Sequence, residues 1–365
     1  MYSLRSGYRL PGVQRGLSPV ERLLTKANAG LGGALLASTL LTPPPMWTLG
    51  AVAGAAAVLN VAPGPRSVAR WVAVGYRYLR ERTVPAAMTD RPGATESWHL
   101  YPDHGTMQDP HRRAAWHDAF AATLVLAATQ ARQAGIQVHV THHADVTDCT
   151  AHTQTVSVHI PRGLVGQPDR VIARMEAEFS RLGVLTPLEP EPVPTVTERG
   201  AAWVCLDGDH YASTARITGW PDETDGKLMG RLLLGDRTQT SDHYATDRSL
   251  SVLYRPLPPG QSRRSAQMQD AAAGAFTTNK IKQAEYAAAS GGVLGELVDG
   301  ATLVDIDAYM TVWGDSPEAV ADARWQADLA AGLQRVRLDW LTGQQHRAHL
   351  MTSPHGASTA KGAVL

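Results

Sequence analysis

Near the start of the chain the alternation of apolar and polar positions stops. From Ala27 to Pro65 no side chain is ionisable. Pro43-Pro44-Pro45 divides this run into two apolar halves, Ala29–Leu41 and Met46–Leu59. A membrane-spanning helix needs about 20 residues. With its flanks each half reaches that length, over residues 23–42 and 45–65. Three successive prolines cannot continue a helix, so they mark the turn. Both halves are rich in Gly, Ala, Ser and Thr, which let two helices approach closely in lipid. The pattern predicts a two-span transmembrane hairpin over 23–65. A signal peptide has one apolar stretch before its cleavage site, whereas here a second stretch and a basic run follow. A buried soluble hairpin is the other reading that Ala-rich helices allow.

The charge distribution fixes the expected orientation. The chain is neutral overall, yet residues 1–82 carry ten basic side chains against two acidic ones. The basic residues flank both outer ends of the hairpin, and the proline turn has none. The positive-inside rule places both termini in the cytoplasm of a two-pass inner (plasma) membrane protein. Residues 1–22 form the basic N-terminus. Residues 66–110 are expected to hold a basic amphipathic helix and an irregular linker. Arg66, Arg70, Trp71, Arg77 and Tyr78 are the membrane-interface candidates of that helix, suited to an anionic leaflet.

Beyond the linker the hydrophobic period changes from element to element. Helices are predicted at His111–Gly135, Asp169–Gly183, Lys227–Leu234, Ser262–Leu297 and Ser316–Gln334. The last begins with Ser316 as N-cap and Pro317 in the first turn. Strands are predicted at Ile136–Val146, Thr155–Ile160, Ser249–Arg255, Ala301–Trp313 and Val336–Leu341. Two more flank a turn at Leu206–Asp209 within 201–218. Pro187–Pro194 alternates Pro and Glu and marks a boundary. The expected fold class is α+β: the transmembrane hairpin, then cytoplasmic α/β sandwich-type domains at 111–194 and 195–352, then a flexible tail at 353–365. No internal repeat is visible in the sequence.

Composition narrows the chemistry. Zero net charge argues against a free-standing nucleic-acid binder. Two cysteines, Cys149 and Cys205, provide no disulfide framework. The chain has no Gly-x4-Gly-Lys-Ser/Thr loop, no Gly-x-Gly-x-x-Gly after a strand, no Gly-x-Ser-x-Gly elbow and no His-Glu-x-x-His helix. His139, His142, His143, Cys149 and His152 crowd one short stretch. Imidazole and thiolate are good zinc ligands, so His142, His143, Cys149 and His152 are candidate metal ligands. Against this, no four-ligand spacing matches, and alternate strand positions point to opposite faces. Asp207–His210 is a turn composition. Asp103-His104 and Trp116-His117-Asp118 pair acid with base but serve no visible nucleophile. No catalytic or cofactor-binding residue is assigned, and no cofactor is expected.

Two tight spans followed by a basic amphipathic helix resemble the PrgI-type hairpin subunit of type IV secretion. Further on, Val252-Leu-Tyr-Arg-Pro-Leu-Pro-Pro259, Gly295-Glu-Leu297, the strand Val304–Val312, Ser316-Pro-Glu-Ala-Val320, Arg337–Ala348 and Ser353-Pro-His-Gly356 are similar to the amino-terminal, non-ATPase part of the conjugation ATPase. The whole resembles actinobacterial conjugation-cluster membrane proteins that join these parts, and also EccE, a two-span subunit of type VII secretion. The chain stops where the ATPase domain would begin. The resemblance therefore implies a non-catalytic membrane subunit of a conjugation or secretion machine. Its implied partners are a separate secretion ATPase or coupling protein and other translocon subunits in a multisubunit complex, with DNA met only indirectly. Trp313 and Trp340, at predicted strand ends, are the candidate partner-docking residues, since Trp is enriched at interface hot spots. The competing classes are a membrane-anchored enzyme and a tethered binding module.

Overall fold

The computed structural model describes residues 93–106, 108–145, 151–189, 194–221, 227–234, 246–275 and 295–354, with scattered positions elsewhere. The scattered positions are 2–3, 47–48, 50–51, 54, 71–72, 74–76, 223–224 and 293. Most of the predicted hairpin, and Arg66, Arg70, Arg77, Tyr78 and Cys149, lie outside them. Of the interface candidates, Trp71 is described; it is helical and exposed. Among the described residues no helix is long and apolar enough to cross a membrane. The chain divides into two compact units, residues 1–8 with 86–358, and residues 9–85 with 359–365. The β-sheet and the helices packed on it belong to the first.

That unit is α+β. Its elements are β1 (Gly93–Pro102), α1 (Pro110–Thr129), β2 (Gln137–Asp145), β3 (Ala151–Pro161), α2 (Pro168–Phe179) and β4 (Gly183–Pro187). Then come β5 (Val196–Arg199), β6 (Val204–Leu206), β7 (His210–Gly219), α3 (Leu228–Leu234), β8 (Arg248–Pro256), α4 (Pro259–Ala275), β9 (Val304–Gly314), α5 (Pro317–Leu333), β10 (Arg337–Trp340) and α6 (Gln345–Ala348). A 3-10 turn at His349–Thr352 closes the series. The ten strands form one antiparallel sheet in the order β4-β1-β3-β2-β8-β9-β7-β6-β5, with β10 also on β7. Away from it, Tyr2–Ser3 pairs with Glu223–Thr224.

The order contains a repeat that residue identities do not display. β1-α1-β2-β3-α2-β4 pairs as 4-1-3-2, the split βαβ connectivity. β7, α3, β8, β9, α5 and β10 follow the same plan, with β10-β7-β9-β8 in the corresponding places. The second strands of the two halves, β2 and β8, meet at the centre, in register from Arg248↔Ala144 to Tyr254↔Val138. Strand β1 corrects the sequence reading, which assigned residues 93–102 to an irregular linker. Trp98 and Leu100 are buried, and that alternation with Ser97 and His99 is the strand signal.

Local chemistry starts the helices where the sequence places them. The Asp109 carboxylate accepts from the amides of His111 and Arg112 at 2.8 and 3.4 Å, and Pro110 begins α1. The Ser316 hydroxyl accepts from the Ala319 amide at 3.1 Å ahead of α5. Each such cap is worth about 1 kcal/mol to its helix. Between β6 and β7, Asp207 (φ 54°) and Gly208 (φ 97°) turn the chain in left-handed geometry. A glycine holds this conformation without the Cβ clash that other residues meet.

All helices of the two cores lie on one face of the sheet. In the first half, Phe120, Leu124, Met175 and Phe179 pack on Trp98, Val138, Val140, Val156 and Val158. In the second, Leu232, Leu233, Val320, Ala323 and Ala327 pack on Leu250, Val252, Ala308, Met310 and Val312. The Ala stripe of α5, legible as the period of residues 320–330, lets this helix lie close on the strands. Tyr254 and Phe120 meet edge to face, with centroids 5.2 Å apart, tying α1 across the seam to β8.

Candidate functional site

Because residues alternate faces, β2 separates the histidines that the sequence crowds together. Val138, Val140, His142 and Ala144 share the helix side with Leu250 and Val252, their register partners being read across the ladder. His139, Thr141 and His143 point to the opposite side. His152 on β3 falls beside His142, with Nδ1 of His142 3.2 Å from Nε2 of His152 and the rings 9° from parallel. Thus His142 and His152 come together, and His143 does not join them. Among the described residues no group of three or more His, Cys, Asp or Glu is placed to hold a metal.

The side away from the helices is polar and strapped by the C-terminal segment. His139 Nε2 donates to the Met351 carbonyl at 3.1 Å, since a carbonyl oxygen only accepts. Ser251 donates to the same oxygen at 2.5 Å. Thr311 links the hydroxyls of Thr214 and Thr352, each at 2.7 Å. Burial pushes His139 down to about 4 against the hydrogen bond to Met351. It does the same to His349, whose Nδ1 donates to the Gln345 carbonyl at 3.3 Å. Both rings are therefore neutral near pH 7.

An ion cluster sits further along this face. Asp307 Oδ2 receives Arg255 at 2.6 Å, and Oδ1 receives Arg216. Burial pushes the Asp307 carboxyl up, but the two guanidinium groups outweigh it and hold it below the usual carboxylate range. On the helix side Arg248 is fully buried and donates to the Leu232 carbonyl at 3.4 Å. Sequence reasoning names none of these. The available signal was charge at alternate positions of a strand, Asp305 and Asp307, facing Arg255 across the ladder.

The remaining sequence candidates have structural employment. Trp313 Nε1 donates to Ser249 Oγ at 3.0 Å, and that hydroxyl lies 2.9 Å from His143 Nδ1. The hydroxyl accepts from the indole and shares a second hydrogen bond with the imidazole. Trp340 Nε1 donates to both carboxylate oxygens of Asp328 at 3.0 Å, with the Arg324 guanidinium 4.7 Å over the ring. Both tryptophans are half-buried. Trp116 Nε1 donates to the Leu182 carbonyl at 2.9 Å. The Asp207 carboxylate accepts from the Thr195 amide at 2.8 Å, which is turn chemistry. Asp103 lies in a turn closed by its carbonyl and the Thr106 amide. Cys205 is a buried free thiol.

One apolar feature escaped the sequence reading. Trp325, Leu329 and Leu333 lie on successive turns of α5 and are exposed. The period of four was present in the sequence, but it was masked by the buried Ala stripe on the same helix.

No family model matches the chain, and no curated protein matches it.

Proposed function

We propose that this protein is a non-catalytic inner-membrane subunit of a type IV-like conjugation or secretion machine, whose cytoplasmic domain docks a separate ATPase or coupling protein. The observation that carries the reading is the 39-residue segment 27–65, uncharged throughout and bracketed by basic residues. Two further features support it. Tyr2–Ser3, before that segment, pairs with Glu223–Thr224, after it, and two spans would leave both on the same side of a membrane. The segments that resemble the ATPase's amino-terminal part also lie near one another: β8, β9, the start of α5 and β10 belong to one split βαβ half, and α6 with the strap follows it.

The test is co-purification of the full-length chain from native membranes in mild detergent, with a reporter active only in the periplasm fused after Leu365. A stable complex containing a secretion-type ATPase, with a silent reporter, is the expected result. An active reporter, or a chain that purifies alone from cells expressing the ATPase, overturns the reading.

A further inference from the structure

We propose that His142 and His152 form a chelating pair for a first-row divalent transition cation, at the loop end of the β2–β3 hairpin. The two nitrogens stand 3.2 Å apart. A tetrahedral cation with metal–nitrogen bonds of about 2.0–2.1 Å requires its two nitrogens about 3.3–3.4 Å from each other. The pair thus already has the nitrogen spacing of such an ion, and binding turns the two rings, whose nitrogens now face each other, so that the lone pairs meet at one point.

The backbone holds that spacing. His142 is in register with Gln154, and His152 is in register with Ala144, so the two imidazoles are diagonal neighbours on one face of a paired ladder. Diagonal neighbours on an antiparallel pair are within reach of long and aromatic side chains. The ladder continues through His143↔Thr153, which fixes the spacing of the two Cα atoms. His152 is exposed and His142 partly so, which gives an ion and its water ligands a way in.

Neutral imidazole is the ligand form. Without metal, one ring donates its N–H to the other across the 3.2 Å gap. On binding, that proton moves to the far nitrogen of the donating ring, and both facing nitrogens present lone pairs. Two neutral rings therefore bind the cation with no net release of protons. Imidazole selects Zn2+, Ni2+ and Cu2+ over Mg2+ and Ca2+. With two protein ligands the remaining positions are filled by water. The bound ion clamps β2 to β3.

The full-length chain, purified without a histidine tag, is titrated with Cu2+ and separately with Zn2+. One equivalent of Cu2+ is expected to bind with an electron paramagnetic resonance spectrum showing coupling to imidazole nitrogen. Zn2+ is expected to raise the unfolding temperature. His142→Ala and His152→Ala should each weaken binding by tenfold or more, and His152→Asn covers the case in which the alanine variant unfolds. His143→Ala, on the opposite face, should bind like the wild type. Circular dichroism checks each fold. Loss of the same equivalent in His143→Ala, or retention of it in the double variant of His142 and His152, overturns the proposal. So does the absence of a bound equivalent in the wild type.

Discussion

Gln345 completes the hydrogen bonding of Thr214 with its side chain. Its Oε1 accepts from the Thr214 amide at 2.7 Å, and its Nε2 donates to the Thr214 carbonyl at 3.0 Å. Both groups are buried, at the place along β7 where β6 has ended and β10 ends at Trp340. The Leu341 amide also reaches the same carbonyl at 3.0 Å, so the carbonyl keeps a partner without Gln345 while the amide does not. Gln345→Ala should therefore cost about 1–3 kcal/mol, the range for a buried donor left without an acceptor. Gln345→Glu keeps the acceptor but sets a carboxylate against the carbonyl, and should be no better than alanine. Urea unfolding of the full-length chain in detergent measures this. Wild-type stability in Gln345→Ala would show that the strap is held by its apolar contacts alone.

Asp307 answers two arginines at once. Arg255 is nearly buried and Arg216 about one-third exposed. Asp307→Asn leaves the Arg255 charge in place without its closest carboxylate. The expected loss is roughly 3 kcal/mol, the low end for breaking a buried pair, because water screens Arg216. The sign with pH follows from the lowered carboxyl: its contribution is present above the unfolded carboxylate value of about 3.9 and disappears as pH falls through the lower folded value. The stability gap between Asp307→Asn and the wild type should be constant from pH 5 to 8 and shrink only below about pH 4. A gap that closes near pH 6 would assign the effect to another group.

The elements of the sheet domain were legible where a segment's period was clean. The β2 and β3 alternation, the β6–β7 turn, the Ser316 cap and the Ala stripe of α5 all carry their instructions locally. Strand β1 was hidden because Pro, Asp and His around it have turn chemistry, and β4 because Gly183 and Pro187 bound only five residues. The duplicated plan was hidden for a different reason. A split βαβ half is specified by which strands pair, and pairing depends on long-range burial and not on residue identity. The 47-residue stretch between β8 and β9, residues 257–303, further disguises the second half. For the candidate site, the sequence shows the histidines crowded together but not which of them meet. Period-two geometry divides them once β2 is placed, and only the β3 register brings His152 to His142.

Two histidines, His139 beneath the strap and His349 within it, should make stability fall on mild acidification. His139 and His349, each pushed down to about 4, are neutral in the folded chain. Their unfolded values are about 6.5. Between those limits the unfolded chain binds protons that the folded chain does not, so stability rises with pH there and is lost as pH falls from about 6.5 toward 4. Each group contributes a slope of up to about 1.4 kcal/mol per pH unit in that window. His117, His142 and His152 are also lowered and act in the same direction. His139→Leu loses the bond to Met351, whose carbonyl still has Ser251. The variant should be less stable than the wild type at pH 7.5, and the difference should narrow by pH 5. A difference that widens on acidification would mean that His139 is charged in the folded chain.

Trp340 separates a docking residue from a structural one. Its indole joins β10 to α5 through the N–H bonds to Asp328 and the Arg324 guanidinium over the ring. Its ladder partner Ala215 lies in the core of the sheet. Trp340→Ala removes ring packing, the cation–π contact and the bonds to the carboxylate together. A fully buried Trp→Ala change costs about 3–5 kcal/mol, and for this half-buried ring roughly 2 kcal/mol is expected. Trp340→Phe keeps an aromatic face under Arg324 and loses only the N–H, so about 1 kcal/mol is expected for the exposed Asp328 bond. Trp325, on the outer side of the same helix, is 68% exposed, and Trp325→Ala should stay within about 0.5 kcal/mol of wild type. Urea unfolding followed by far-ultraviolet circular dichroism ranks the three variants, and detergent pull-down of the proposed complex is run beside it. In this structure any assembly defect of Trp340→Ala should track its lost stability and be largely restored in Trp340→Phe. If Trp340→Ala unfolds like the wild type yet fails to assemble, the indole faces a partner and not its own helix.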